Sequence, residues 1–164
     1  MLLEEIPSRT KVLVDSNVFI YHFLGSSASC TTFLERAERE DIDAYTSTIV
    51  LAEIMHRLMI AEVVEKYDVE QRGAVRFLKE NPEVIPTLEK CEDAVEKIPE
   101  FSVKILHVTV EAIFESRELR RRYLLMTNDS LNVYVMRGNQ LYDIATNDGD
   151  FERVEDIRVW KPRW

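Results

Sequence analysis

Lys11-Val12-Leu13-Val14-Asp15-Ser16-Asn17 compresses an apolar strand, a carboxylate and two side chains able to cap a helix into seven residues. The Val-Leu-Val core reads as a short buried strand over 11–15. Ser16 and Asn17 offer oxygens to the first turn of a helix over 18–24, which Gly25 stops. The same alternation continues outward. Ser26 to Ser29 cap a second helix that runs to about Arg39, with Phe33, Leu34 and Ala37 on one face. A strand follows over 44–47, then a helix from 48 to about 65 with apolar residues at spacings of three and four. Two further helices fall near 69–79 and 87–98. A third strand covers 103–108, and a helix capped by Thr109 covers 109–122. Thr127 or Asn128 caps a helix that runs to Gly138. Strands at 141–146 and 157–160 complete the chain. Strands alternating with helices predict βαβ units and a mostly parallel five-stranded sheet. Ligands of such sheets bind beyond the carboxyl ends of the strands, where the strand order reverses.

The chain has 164 residues, 46% of them hydrophobic, which predicts one globular domain over 1–164. No apolar run approaches the roughly 20 residues that span a bilayer. The opening Met1 to Pro7 carries acids where a secretory signal needs a basic start. A soluble, cytoplasmic protein without a membrane partner is the expectation. Cys30 and Cys91 have no zinc-ligand spacing and are expected to be buried, reduced thiols. The net charge of −9 and pI near 4.9 argue against a simple nucleic-acid binder. Carboxylates held for a metal would inflate that negative count, and a bound ion reverses the local field.

Four acids stand at element ends, far apart in sequence: Asp15, Glu53, Asp129 and Asp148. On parallel neighbouring strands they converge at one sheet edge. Clustered carboxylates repel and hold protons unless a cation lies among them. Mg²⁺ or Mn²⁺ chooses such oxygen ligands, so a metal-dependent phosphodiester-cleaving site is expected. Each acid also has a plainer reading. Asp15 can cap a helix, and Glu53 can pair with Arg57 one turn on. Asp129 can complement a helix dipole, and Asp148 can form an Asp-Gly turn with Gly149.

Four segments carry a family resemblance: Val12-Leu13-Val14-Asp15-Ser16-Asn17, Thr46 to Ile54, Asn128-Asp129-Ser130-Leu131, and Ala145-Thr146-Asn147-Asp148-Gly149-Asp150-Phe151. In this order the chain resembles PIN-domain nucleases, the group that includes the VapC-type toxin ribonucleases. The resemblance implies an α/β/α three-layer sandwich around a parallel five-stranded sheet. It implies a metal-dependent endoribonuclease acting on RNA. By position, Asp15, Glu53, Asp129 and Asp148 form the acidic quartet, Asn17 and Thr146 support it, and Asp150 is an auxiliary acid. A homodimer and an antitoxin protein are the partners it implies. The chain departs from the family in two places. The interval from Glu53 to Asp129 is long, which places a helical insertion or clip near 68–100. Ser130, Asn132 and Tyr134 follow Asp129, where many members carry small residues.

Arg117, Arg120, Arg121 and Arg122 form the one dense basic run. Either they complement a helix C-terminus, or Arg120, Arg121 and Arg122 contact substrate phosphates. His22, His56 and His107 share no catalytic spacing. A phosphatase of the haloacid dehalogenase type needs an Asp two residues after its nucleophile, where this chain has Asn17. The remaining alternative is a non-catalytic module of the same fold that binds RNA or protein.

Overall fold

The computed structural model describes residues 1–164. Five strands form one parallel sheet in the order β3-β2-β1-β4-β5. They are β1 (Lys11–Val14), β2 (Asp43–Ser47), β3 (Lys104–Leu106), β4 (Asp143–Ala145) and β5 (Arg158–Trp160). Every pairing is parallel. The chain moves outward from β1 to β2 and β3, then returns to the other side of β1 for β4 and β5. The order therefore reverses between β1 and β4.

Alternation along β1 creates two cores. Val12 and Val14 face one apolar cluster with α1 (Ser16–Phe23), α2 (Ala28–Glu38), α3 (Thr48–Tyr67) and α5 (Lys90–Lys97). Leu13 faces the other, with Leu119 and Tyr123 of α7 (Arg117–Tyr123) and Val133 and Met136 of α8 (Thr127–Gly138). Helices on both faces make the expected three layers. Cys30 and Cys91 are buried free thiols in the first core, and burial pushes both pKa values up. No helix is long and apolar enough to cross a membrane.

Between α3 and β3 the chain adds α4 (Ala74–Glu80), a 3₁₀ turn over Pro82–Thr87, and α5. Two prolines without N–H groups favour that tighter turn over a regular helix. Val84 and Leu88 join Ile60, Val63, Ala74 and Leu78 in a small satellite core against the second half of α3. There Glu62 is buried, with Lys66 Nζ at 2.5 Å from its Oε1 and the Lys90 N–H donating to its Oε2 at 3.0 Å.

Several boundaries differ from the sequence expectation; the helix expected near 69–79, for one, is a 3₁₀ turn Gln71–Gly73 followed by α4 from Ala74. Strands β3 and β4 are shorter than the apolar runs that contain them. The helix expected over 109–122 is two, α6 (Val110–Glu115) and α7. The buried Ser116 between them donates its hydroxyl to the Ile113 carbonyl at 3.4 Å and accepts from Arg120 at 2.9 Å. Such local bonds compete with helix propagation. Capping also shifts. Asp15, not Ser16 or Asn17, caps α1, and α8 starts at Thr127 with no side-chain cap.

Candidate active site

Asp15 sits where β1 ends and α1 begins, in extended backbone with φ −83° and ψ 161°. Its N–H donates to the Ala145 carbonyl at 3.0 Å, which places Thr146 directly across from it. Asp15 Oδ1 accepts from the Ser16 N–H at 2.7 Å. Its Oδ2 accepts from Asn17 Nδ2 at 2.6 Å and from the Thr146 hydroxyl at 2.6 Å. Asn17, free of capping duty, bridges β1 and β4. Its Nδ2 also donates to Thr146 Oγ1 at 2.9 Å, and its Oδ1 accepts from the Asn147 N–H at 2.9 Å. Thr146 Oγ1 then accepts from the Asp148 N–H at 3.0 Å. One hydroxyl thus joins the Asp15 carboxylate to the backbone of Asp148. The Asp148 turn closes when its Oδ1 accepts from the Asp150 N–H at 2.8 Å.

Asp129 enters from the first turn of α8. One carboxylate oxygen from each of Asp129, Asp148 and Asp150 can be chosen so that all lie within 4.8 Å of one another. Asp148 is exposed, and Asp129 and Asp150 are half-buried. Glu53, in the second turn of α3, is half-buried and has Arg57 Nη1 at 3.6 Å from Oε1. The plain pairing with Arg57 and proximity to the other acids therefore coexist. The two helices that carry Glu53 and Asp129 are tied by a buried bond. Ser47, the N-cap of α3, donates to Asn132 Oδ1 at 2.7 Å. Asn132, one of the residues that departs from the small side chains common in the family, thus has a defined task.

The acids perturb one another's protonation. Burial pushes Asp15 up to about 6 against the Thr146 and Ser16 hydrogen bonds, and the charges of Glu53 and Asp148 add to the rise. Burial also lifts Asp129 to about 6, with further contributions from Asp148, Asp15, Asp150 and Glu53. No Lys or Arg pairs with Asp15, Asp129 or Asp148; the nearby cations Arg57 and Arg153 pair with Glu53 and Asp150. The donor set is all oxygen and strongly negative, which fits a hard divalent cation and poorly fits a soft one.

The arginine run divides. Arg120 is half-buried and donates to Ser116 Oγ at 2.9 Å and Ser130 Oγ at 3.4 Å, which brings it beside the start of α8. Arg121 lies 3.9 Å from Glu118, and Arg122 lies 3.3 Å from Glu155 and over the Tyr123 ring. Arg117 also meets Glu118.

A family model described as PIN domain matches residues 12–157. Ribonuclease VapC2 of Methanocaldococcus jannaschii is 28% identical over 151 residues, covering 91% of this chain and 92% of that protein. Ribonuclease VapC6 of the same organism is 24% identical over 155 residues, covering 94% and 99%. Among solved structures, VapBC2 from Rickettsia felis bound to a promoter DNA fragment aligns with a TM-score of 0.63 at 15% identity, over 94% of this chain and 100% of the aligned one. VapC20 from Mycobacterium tuberculosis, described as a sarcin-ricin loop cleaving toxin, aligns at 0.56 and 19% identity, over 88% and 95%. These two likenesses establish a shared fold.

Proposed function

Because the chain belongs to the PIN domain family, we propose that it is an endoribonuclease that hydrolyses RNA phosphodiester bonds with Mg²⁺ or Mn²⁺. The observation that carries this reading is the meeting of Asp129, Asp148 and Asp150 within 4.8 Å, with no basic partner on Asp15, Asp129 or Asp148; Asp15 and Glu53 stand outside that group and are coupled to it through their charges. Asp15, Asp129 and Asp148 would hold the metal, with Glu53 completing the quartet. When bound, such an ion supplies a lowered water pKa and offsets charge in the transition state. Asn17 and Thr146 hold the Asp15 carboxylate in one orientation through two hydrogen bonds to the same oxygen. Glu53 would reach the ion through a water or orient the attacking water, and Asp150 would lend an auxiliary charge. Arg120 faces the first turn of α8 and is the member of the basic run best placed to meet a phosphate; Arg121 and Arg122 lie farther along the same helix.

The VapC names of the relatives and the RNA-cleaving toxin among the structural neighbours support reading the chain as the toxin of a toxin–antitoxin pair, with an antitoxin protein as partner; a cytoplasmic setting is part of the same proposal. Residues 68–100 act as an enlarged clip within a single domain. A homodimer is supported by Val110, Ile113 and Phe114, spaced i, i+3, i+4 on α6 and all more than half exposed. Sedimentation that shows only a monomer at high concentration would remove it.

The deciding experiment is an RNA cleavage assay with Mn²⁺, with and without chelator, comparing wild type with Asp15→Asn. Cleavage that needs the ion and Asp15 supports the enzyme. Failure to take up Mn²⁺ at millimolar concentration would favour the non-catalytic binding module.

A further inference from the structure

One cation at the rim of the acidic cluster has a second bond that the site alone does not explain. Arg153 ends the 3₁₀ turn Asp150–Arg153. Its Nη2 lies 2.7 Å from Asp150 Oδ1, and its Nη1 donates to the Leu124 carbonyl at 2.8 Å. Leu124 follows α7 in a left-handed conformation with φ 54°, and its side chain is exposed. A branched, non-glycine residue holds that conformation only where its surroundings fix it. Its carbonyl belongs to the last turn of α7, where acceptors lack helical partners. From Leu124 the chain runs through Leu125 and Met126 straight into α8 and Asp129. The guanidinium therefore bridges the segment that delivers Asp129 and the segment that delivers Asp148 and Asp150. No other hydrogen bond joins residues 124–129 to residues 146–153.

We propose that Arg153 is a positioning residue that sets the gap between Asp129 and the Asp148–Asp150 pair. The proposal rests on the metal-binding reading of those acids. A guanidinium suits the task because its fixed fork reaches two acceptors at once, whereas an ammonium is a single point charge. The competing role is simple muting of negative charge. The two roles predict opposite signs: loss of a positioning group weakens metal binding, and loss of a competing cation tightens it.

The test uses the full chain and two readouts, Mn²⁺ affinity by titration and hydrogen exchange of a peptide covering 124–131 in chelator. Arg153→Ala should weaken Mn²⁺ binding about tenfold, at the low end for residues that support metal ligands. It should also speed exchange in that peptide before any metal is added. Arg153→Lys should recover only part of the affinity. Glu155→Gln, which removes a neighbouring ion pair to α7 without touching the acids, should leave affinity unchanged. Tighter or unchanged binding in Arg153→Ala, full recovery by Arg153→Lys, or equal weakening in Glu155→Gln would overturn the proposal. Wild-type protein that takes up no Mn²⁺ would overturn the metal reading alone. Unchanged exchange in Arg153→Ala would overturn the positioning role itself.

Discussion

Asp15 just past the end of β1 and Asp143 on β4 are both nearly buried aspartates, 7% and 3% exposed, yet the chain treats them differently. Asp143 accepts from Arg158 Nη2 at 2.7 Å and from the Trp160 indole N–H at 2.7 Å. Glu62, equally buried, has Lys66 and the Lys90 N–H. Asp15 has only neutral donors, and its acidic neighbours Asp129 and Asp148 have no ion pair either. A buried charge without a counter-ion is costly unless something neutralises it. Where an acid is structural, this protein supplies the cation from its own sequence. At the carboxyl edge of the sheet it gives Asp15, Asp129 and Asp148 no cation of its own, which is the feature the proposed metal site rests on.

Several measurements break or sharpen that contrast. The largest effect is expected at the unpaired end. Chelation should abolish RNA cleavage, and Asp15→Asn should lower it by at least about 10²-fold, the scale of lost electrostatic stabilisation. Near wild-type turnover in that variant would end the comparison.

Next comes pH. Asp15 has a folded pKa of about 6, above its ordinary value of 3.8. The folded chain then holds a proton that the unfolded chain has lost, so stability falls as pH rises from about 4 to about 6 and is flat above. The span is about 3 kcal/mol for this one group in metal-free protein. Asp15→Asn lacks the titration. Its stability relative to wild type should rise across that window, as read by urea unfolding in chelator. A gap that is constant with pH would remove the account of Asp15 as an unpaired charge.

At the paired end, Asp143→Ala should cost about 1–3 kcal/mol by stranding the Trp160 N–H, with Mn²⁺ affinity unchanged. The smallest effect is expected from the arginines. Alanine at Arg120, Arg121 and Arg122 should weaken RNA binding and flatten its salt dependence by about 0.7 in log–log slope for each phosphate no longer neutralised. An unchanged slope would return all three to the role of helix-end cations.

Much of this was legible before the structure. Val12-Leu13-Val14 marks a strand buried on both faces, and residue types at element ends pick out Asp129 and Asp148, which the structure gathers together with Asp150. The misses share a physical origin. The break at Ser116 carries no glycine or proline; it depends on Arg120 reaching back to a serine hydroxyl. Asp15 displaced Ser16 as the cap because its own carboxylate meets the next N–H, and this freed Asn17 to cross to β4. The Ser47–Asn132 and Arg153–Leu124 bonds join segments distant in sequence. No local pattern encodes them, although the spacing of Asp150 and Arg153 hints at their pairing.

The sealed thiols have a practical consequence. Cys30 lies in α2 beneath the sheet, and Cys91 lies in α5 against α3. Neither is reactive while covered, because the thiolate is the nucleophile and burial disfavours it. Labelling by a thiol reagent can therefore proceed only through opening of the surrounding fold, and the two rates report on how one core opens around α2 and around α5. The wild-type chain thus contains two built-in clocks for local unfolding, readable by mass spectrometry without changing a single residue.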